Sequence, residues 1–291
     1  MRRFLLSLYF LATCAGASQG QITAEVQKDK VRFLDGKNLV MELVLKDPEI
    51  TRPYFTSLHS PNGLQLTRNH PPKPGADPVD HADMHPGLWL AFGNLSGFDY
   101  WRNKARVLNT RFDLDEFPEK GSLGFKLTNH YLKGLKPGAS VLCEETSSFQ
   151  LSKKGDTYVL DWTARFRSTT EEITFGDQEE MGLGVRVNTL LSVKKGGRIQ
   201  NQEGGVNEKG TWGKQSGRCE YSGKLEGKTA GLSIEPQAGN FRISWFHSRD
   251  YGLMVANPFG RKAFTKREES SHRVPKGEVF QLGFRVELFD K

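Results

Sequence analysis

A strict alternation of apolar and polar side chains is the feature that most limits how this chain folds. In the segment YVLDWTARF (158–166), every second residue is apolar, and in FQLGFRVEL (280–288) the same period recurs. Successive side chains of a β-strand point to opposite faces, so this period is typical of antiparallel strands with one buried face. The two segments therefore predict half-buried strands. The residues that share a face in the first segment are Tyr158, Leu160, Trp162, Ala164 and Phe166.

Shorter runs of the same kind cover much of the chain, and turn residues such as Asp35-Gly36 and Asn62-Gly63 separate them. No stretch of twelve or more residues has a helical 3.6-residue period. Together with 31 glycines, this pattern predicts an all-β fold: a large antiparallel β-sandwich or supersandwich with long ordered loops and little helix. The further strands are expected at 22–28, 38–46, 105–113, 122–132, 141–152, 183–192, 230–235, 241–247 and 252–256.

The N-terminus has the parts of a secretory signal peptide. Arg2 and Arg3 precede an apolar core at 4–12 that is too short to span a bilayer, and Ala15-Gly16-Ala17 offers a small-x-small cleavage site. We therefore expect an exported protein, periplasmic or extracellular. A buried N-terminal strand or helix is the alternative interpretation of this segment. After residue 20, no apolar segment is long enough for a transmembrane span.

The domain prediction follows: a signal peptide at 1–17 and a single β-sandwich domain at 18–291. A lipid anchor at Cys14 is the less favoured alternative, because threonine directly before the cysteine is atypical. An exported protein can form a disulfide between Cys143 and Cys219, but two cysteines so far apart in sequence fit separate reduced thiols equally well.

The formal charge is +7, and it falls to about +5 once Arg2 and Arg3 leave with the signal peptide. The basic residues are scattered, with small runs only at 194–198 and 260–267. A nucleic-acid-binding protein usually has a basic stripe, so we expect no nucleic-acid partner. The excess of positive charge is compatible with an acidic ligand but does not by itself indicate one.

Two long segments break the strand rhythm. Segment 67–87 is rich in proline, which central strands do not accept, and segment 196–217 is rich in glycine and polar residues. Long loops on a β scaffold commonly carry binding residues. We therefore expect both segments to contribute to a site for a small molecule or an oligosaccharide.

Segment 80–85, DHADMH, concentrates titratable groups in the first loop. If 81–85 is extended, His81, Asp83 and His85 point to the same side and could ligate a divalent metal. Alternatively, His81 and His85 act as general acid and base on a substrate that Asp80 contacts, or the histidines are structural. The three interpretations stay open, and no cofactor is certain.

The aromatic and charged residues that follow suit a sugar, whose C–H faces stack on rings and whose hydroxyls need fixed polar partners. Trp89 is in phase with Ala91 and is expected in the core, whereas Trp101, next to Arg102, is expected to stack on the ligand. Arg102 is a candidate partner for the hydroxyls.

Further candidates lie in three other segments. In TFGDQEEMGLGVRV (174–187), Glu180 or its neighbour Glu179 is the best glutamate for acid/base chemistry, and Arg186 is a candidate clamp. A surface acidic turn paired with an arginine is the alternative. The remaining candidates are His247 as a further catalytic residue and Arg52, Asp250 and Asn257 as substrate-binding residues.

Several long blocks resemble the family DUF6807, exported bacterial proteins of unassigned function that are often labelled "methane oxygenase PmoA". They are RPYF, DHADMHPGLWLAFGNLSGFDYWRNKARV, GDQEEMGLGVRV, GTWGKQSGRCEYSG and WFHSRDYGLMVANPFG. The methane monooxygenase label does not fit, because a membrane subunit of that enzyme needs several apolar spans. In length and β content the family is similar to galactose-mutarotase-like supersandwiches, a likeness of fold only.

These observations favour an exported carbohydrate-active protein, an enzyme with mutarotase-, lyase- or hydrolase-like acid/base chemistry. The alternatives are a non-catalytic carbohydrate-binding module and an envelope interaction protein. The enzymatic hypothesis requires the main candidates to line a common hollow; the sequence specifies neither the substrate nor the oligomeric state. Those candidates are His81, His85, Glu180, Arg186 and His247.

Overall fold

In a computed structural model of the chain, residues 22–115 and 121–291 are described. The predicted signal peptide at 1–17, with Cys14, lies outside these residues. Within them, no helix is long and apolar enough to cross a membrane.

The described residues form strands almost throughout. The strands are β1 (Ile22–Val26), β2 (Lys30–Asp35), β3 (Asn38–Val44), β4 (Tyr54–Thr56), β5 (Leu88–Phe92), β6 (Val107–Leu114), β7 (Ser122–Leu132), β8 (Val141–Lys154), β9 (Thr157–Arg167), β10 (Ile173–Phe175), β11 (Met181–Arg186), β12 (Arg198–Asn201), β13 (Lys214–Gln215), β14 (Cys219–Leu225), β15 (Lys228–Pro236), β16 (Trp245–Arg249), β17 (Leu253–Asn257), β18 (His272–Val274) and β19 (Val279–Asp290). The helices are short: α1 (Asn207–Thr211), α2 (Arg261–Thr265) and the 3-10 turns Thr189–Leu191 and Val193–Lys195.

Two large antiparallel sheets make the sandwich. One has the strand order β1-β2-β3-β4-β5-β11-β17-β16-β13, and the other has the order β12-β14-β15-β19-β9-β8-β7-β6. A small additional sheet pairs β10 with β18. The all-β sandwich prediction is confirmed.

Large aromatic side chains fill the space between the two sheets. Phe55 of β4 meets Phe149 of β8 and Trp162 of β9, with ring centroids 5.5 and 5.6 Å apart. Trp162 belongs to the alternating segment 158–166, whose apolar face is buried. Each buried ring removes a large apolar area from water, so this aromatic layer is the main source of stability.

The middle of the nine-stranded sheet is buried on both faces. Every residue of β5, β11 and β17 is buried. Their inner side chains pack on the opposite sheet; we call the other side the outer face. Directly paired residues share a face, so the pairs Trp89–Gly184, Gly184–Val255 and Val255–His247 form one row across the outer face. Loops must therefore cover this face.

Several predicted strand limits differ from the structure. The strand expected at 183–192 ends at Arg186, because Asn188 caps the first 3-10 turn through its side chain. The strand expected at 241–247 begins only at Trp245. Cys143 and Cys219 lie on strands of the same sheet but are both buried free thiols, so they form no disulfide.

Candidate functional site

The loop 67–87 lies over the outer face, and its chemistry-bearing end is a helical turn. The backbone N–H of His85 donates to the carbonyl of His81 at 2.9 Å, and His81 has a φ of +51°. The backbone at 81–85 is therefore a turn, so the extended conformation on which the metal-ligand interpretation of His81, Asp83 and His85 depended is absent. Within the described residues, no three His, Cys, Asp or Glu side chains gather as metal ligands would.

Four rings of this region stack in a column, which we call the histidine column. Tyr251 lies 6.0 Å from His81, His81 lies 4.9 Å from His85, and His85 lies 5.0 Å from Trp89, measured between ring centroids. His81 is exposed at the open end, whereas His85 is buried. Burial holds the pKa of His85 well below its usual range, and nearby cations add to this, so its ring is neutral. Only His81 is accessible to a substrate.

Asp80 and Arg186 bind each other at the open end of the column. Two guanidinium nitrogens of Arg186 donate to the two carboxylate oxygens of Asp80, at 2.8 and 2.9 Å. Burial opposes the charge on Asp80, but these hydrogen bonds prevail and lower its pKa. Arg186 is buried and lies over Tyr251, 4.6 Å from the ring centroid. Because both terminal guanidinium nitrogens of Arg186 already donate to Asp80, Arg186 has no free pair of donors for a ligand.

Arg52 and Trp101 are structural in this arrangement. Buried Arg52 donates to the carbonyls of Tyr100 and Trp101 at 3.2 and 3.0 Å and also to that of Met84, and burial lowers its pKa to about 10. The ring of Trp101 is only 1% exposed and meets Trp89 edge to face at 5.2 Å. The expectations of a ligand clamp at Arg52 and an exposed stacking ring at Trp101 are therefore corrected: both residues build the layer under the loop.

Glu180 forms an ion pair with Arg102. Arg102 also binds Asp99 at 3.1 Å, and although burial lowers its pKa, the two carboxylates prevail and raise it. Side chains of consecutive residues point apart, and it is Glu179 that faces His247.

His247 and Glu179 form what we call the His247–Glu179 pair. The imidazole Nδ1 is 3.3 Å from the backbone carbonyl of Glu179, and Nε2 is 3.8 Å from its carboxyl Oε2. Burial lowers the pKa of His247 to about 4, whereas burial and the charge of Glu180 raise that of Glu179. With Nδ1–H donating to the carbonyl, the Nε2 lone pair of a neutral imidazole faces a carboxyl group that retains a proton more readily than usual.

Asp250 and Asn257 hold neighbouring elements in place. Asp250 accepts the backbone N–H of Glu208 at 2.8 Å, and Glu208 accepts that of Asp250 at 3.0 Å, which fixes α1. Fully buried Asn257 donates to the carbonyls of Gln178 and Glu179 at 2.6 and 3.1 Å. Both side chains are occupied and position the site, which corrects their expected contact with a substrate.

The five main candidates lie over one face but in two groups, and they do not line the common hollow that the sequence-based hypothesis requires. His81, His85 and Arg186 belong to the histidine column and its open end, whereas Glu180 and His247 lie further along the sheet. Two strands separate Trp89 from His247 in the row of paired residues, a distance of about 14 Å. Burial raises the pKa of Tyr251; the charges of Arg186 and Arg249 oppose this, and those of Asp80 and Glu180 add to it.

A cavity of about 820 Å³ lies near the His247–Glu179 pair, with neither His247 nor Glu179 in its lining, and we call it the basic cavity. Phe264 in its wall meets the imidazole of His247 at 6.0 Å. The loop that carries Phe264 is fixed by Asp177, which accepts the backbone N–H groups of Lys262 and Ala263, both at 2.9 Å. The lining is Lys209, Trp212, Gly213, Lys214, Gln215, Arg242, Trp245, Arg261, Phe264, Thr265 and Arg267.

Sequence reasoning missed most of this cavity. The run at 260–267 is one of two small basic runs among otherwise scattered cations, and two of its arginines, Arg261 and Arg267, line the cavity. Within the glycine-rich loop 196–217, Trp212 was the signal that could have indicated it, because a large aromatic residue in a polar loop has little reason to be there without a surface to contact.

A two-sheet antiparallel β-sandwich with one loop-covered face is thus the class of protein that the coordinates define. The chain belongs to the family DUF6807, described as a family of unknown function, which it matches over residues 30–291. The comparison with curated proteins found no match.

Several solved structures are similar to the chain at low identity. A galactose mutarotase-like protein from Clostridium acetobutylicum is 11% identical, with 94% of this chain and 99% of that chain covered and a TM-score of 0.42. A putative aldose 1-epimerase from Escherichia coli is 10% identical, with coverages of 93% and 99% and a TM-score of 0.35. The GH36 α-galactosidase AgaA from Geobacillus stearothermophilus, in complex with raffinose, is 11% identical, with a TM-score of 0.42; 92% of this chain is covered, but only 40% of the galactosidase.

Proposed function

We propose that the protein is an exported carbohydrate-active enzyme that acts on a sugar or sugar derivative by acid/base chemistry at the His247–Glu179 pair. The observation that carries the proposal is the position of this pair. A neutral imidazole faces a carboxyl group of raised pKa, 3.8 Å apart, and the imidazole contacts Phe264, which lines a cavity with further aromatic residues. The signal-like sequence at 1–17 supports export.

The two groups suit complementary proton transfers. Nε2 of His247 accepts a proton from a sugar hydroxyl or from a carbon next to a carbonyl. Glu179 donates a proton to the ring oxygen or the leaving oxygen, whose bond to the anomeric carbon or to the carbon β to the carbonyl then breaks. The raised carboxyl pKa brings Glu179 closer to the operating pH, which suits a general acid, and the neutral form of His247 is the form that can accept a proton.

The cavity supplies the surfaces that a sugar needs. Trp212, Trp245 and Phe264 present ring surface to one space, and the C–H faces of a pyranose pack on such rings. A volume of about 820 Å³ is within the range of small-ligand sites. The burial of His247, which is 5% exposed, favours the alternative of a non-catalytic binding module, so the test must separate turnover from binding.

The test is a turnover screen of the mature chain against aldoses, keto-sugars, sugar acids and oligosaccharides, with and without divalent metal. Glu179→Gln and His247→Gln are each expected to lower kcat/KM by about a hundredfold or more. Glu180→Gln is the matched control, since it changes the adjacent carboxylate, loosens the ion pair with Arg102 and removes one of the two causes that raise the pKa of Glu179; we expect less than a tenfold loss.

His81→Ala, in the same screen, tests the histidine column as an alternative reaction centre. Equal losses in the Glu179 and Glu180 variants, or a large loss only in the His81 variant, would contradict the assignment of the chemistry to the His247–Glu179 pair. Sugar binding without turnover of any substrate would favour the binding module instead.

A further inference from the structure

We infer that the basic cavity recognises the anionic group of an acidic saccharide, a sugar that carries a carboxylate or a sulfate ester. The inference rests on the proposed function, because it names the class of sugar that binds beside the His247–Glu179 pair. Four observations carry it: the excess of cations in the lining, the fixed position of one arginine, the aromatic lining, and a second cavity that shares this arginine.

The charge of the lining is unbalanced. Five cationic side chains line the cavity, and no aspartate or glutamate does. Arg261 has a carboxylate partner, Glu268, at 3.3 Å. Within residues 22–115 and 121–291, no salt bridge within 4.0 Å engages any of the other four. Gathering like charges without counterions costs free energy, which a bound anion would offset. The four are Lys209, Lys214, Arg242 and Arg267.

Arg242 is held in position at the edge of the cavity. One guanidinium nitrogen donates to the carbonyls of Pro258 and Ser270, at 3.2 and 2.8 Å, and the guanidinium lies 5.9 Å from the ring centroid of Trp245. Burial and the neighbouring charge of Arg261 lower its pKa. A partly buried guanidinium, fixed through one nitrogen and lacking a carboxylate, has its remaining donors available for a planar anion.

The aromatic lining points to a sugar as the carrier of that anion. Trp212 meets Phe264 edge to face at 5.3 Å, and its indole Nε1 is buried without a hydrogen-bond partner among the described residues. An indole nitrogen is a donor only, so a ligand oxygen would satisfy it. Ring faces together with a donor suit a hydroxylated ring better than a bare inorganic anion.

A second cavity of about 480 Å³ shares Arg242 with the first. Its wall adds neutral polar groups, among them Gln202, Gln237 and Asn240, and one further residue of each charge, Arg218 and Glu235. The two cavities therefore offer successive subsites with the arginine between them. This arrangement suits an oligosaccharide that places one acidic residue at Arg242, rather than nucleic acid, which would need a continuous basic stripe.

The test is calorimetric binding of three oligosaccharides of equal length to the full mature chain: neutral, uronate-bearing and sulfated. At 50 mM salt we expect at least one acidic oligosaccharide to bind about tenfold more tightly than the neutral one, and its advantage should shrink at 500 mM salt. The uronate and sulfate arms identify which anion the cavity prefers.

The double variant Lys214→Gln/Arg267→Gln removes two exposed cations of the lining. We expect it to weaken acidic binding about five- to tenfold and neutral binding less than twofold. Trp212→Phe keeps the ring but removes the N–H, and we expect a several-fold loss for every saccharide. The matched control is Lys136→Gln, an exposed lysine of the β7–β8 connection, which should change nothing. Circular dichroism verifies that each variant is folded.

The outcomes separate the two claims. Equal affinity for neutral and acidic oligosaccharides, or an unchanged affinity in the double variant, overturns the inference and leaves the proposed function intact. Absence of binding to any saccharide overturns both. Tighter binding of a single-stranded DNA oligonucleotide than of every acidic saccharide also overturns the inference.

Discussion

The open end of the histidine column and the basic cavity are both rich in charge, yet they use it differently. At the column, Arg186 and Asp80 satisfy each other through two hydrogen bonds. In the cavity, Arg242 donates only to backbone carbonyls. The density of charged residues therefore does not distinguish a binding surface from a structural one; the presence or absence of a partner inside the protein does.

One arginine in each region lies over an aromatic ring: Arg186 over Tyr251 at the column, and Arg242 over Trp245 at the cavity. Arg186 is 1% exposed, and its carboxylate partner balances its charge. Arg242 is only half-buried and has no carboxylate within 4.0 Å among the described residues, although the charge of Asp177 acts on it from further away. We expect substitutions at the column to change stability and substitutions at the cavity to change binding.

Acidification is expected to give the largest effect. It should lower the free energy of unfolding through His247 of the His247–Glu179 pair, near the basic cavity. The folded pKa of His247 is about 4, and that of an unfolded histidine is about 6.5. The unfolded chain therefore takes up the proton first. The stability from His247 is fully present above about pH 6.5 and is lost as the pH falls towards 4, by up to about 3 kcal/mol.

Urea unfolding between pH 4 and pH 7 measures this loss, and His247→Gln should remove that part of the slope. The Lys214→Gln/Arg267→Gln variant leaves His247 and its surroundings unchanged, so it should keep the wild-type slope. A slope that His247→Gln leaves unchanged would show that its imidazole is not neutral in the folded protein.

The next largest loss of stability is expected from the substitution Asp80→Asn. Arg186 would then be buried without a charged partner, which costs about 3–5 kcal/mol for a fully buried pair. Because the side chain of Asp80 is 38% exposed, we discount this to a loss of about 2 kcal/mol in the free energy of unfolding. Asp113→Asn, which breaks an exposed pair with Arg111, is the control and should cost less than about 0.5 kcal/mol. Equal losses of unfolding free energy in the two variants would show that the Asp80–Arg186 pair contributes no more than an exposed surface pair.

A smaller effect is expected from Gly184→Ala under the column. The added Cβ would lie 2.9 Å from ring carbons of both Trp89 and Trp101, and both rings are buried. Overpacking of this kind costs about 1–2 kcal/mol in unfolding free energy. Gly239→Ala, where nothing lies within 4 Å of the new Cβ, is the control. If both variants unfold at the same urea concentration, the tryptophan layer is looser than the distances indicate.

The smallest effect on stability is expected from Lys214→Gln and Arg267→Gln. Both side chains are exposed, and neither has a carboxylate partner within the described chain. Their removal relieves repulsion among like charges, so the midpoint of urea unfolding should stay the same or rise slightly. A clear drop in the midpoint would mean that these cations stabilise the fold and are not reserved for a ligand.

The sequence predicted the sandwich because most strands have only one buried face. In β9, Leu160 and Trp162 alternate with polar residues, and the strand is where it was expected. In β5 and β11 both faces are covered, so the alternation disappears and the strand limits are not visible in the pattern. Segment 81–85 formed a turn because backbone hydrogen bonds within the loop outweighed an extended conformation.

The site was harder to predict, for geometric reasons. Glu179 and Glu180 are adjacent and chemically identical, and only the path of the backbone decides that Glu179 faces His247. The basic cavity is assembled from α1, the β16 edge and the α2 loop, which are far apart in the chain. Its cations therefore appear scattered in sequence and converge only in three dimensions, and Arg242 in particular had no local signal.

Burial of β5, β11 and β17 on both sides makes the loops over the outer face a third layer of the protein. Arg52 joins that layer to the sheet through carbonyls on separate loop segments. Segments without regular secondary structure should therefore open only together with the strands beneath them. In hydrogen exchange, the backbone amides of His85 and Arg186 should be protected nearly as strongly as those of the central strands.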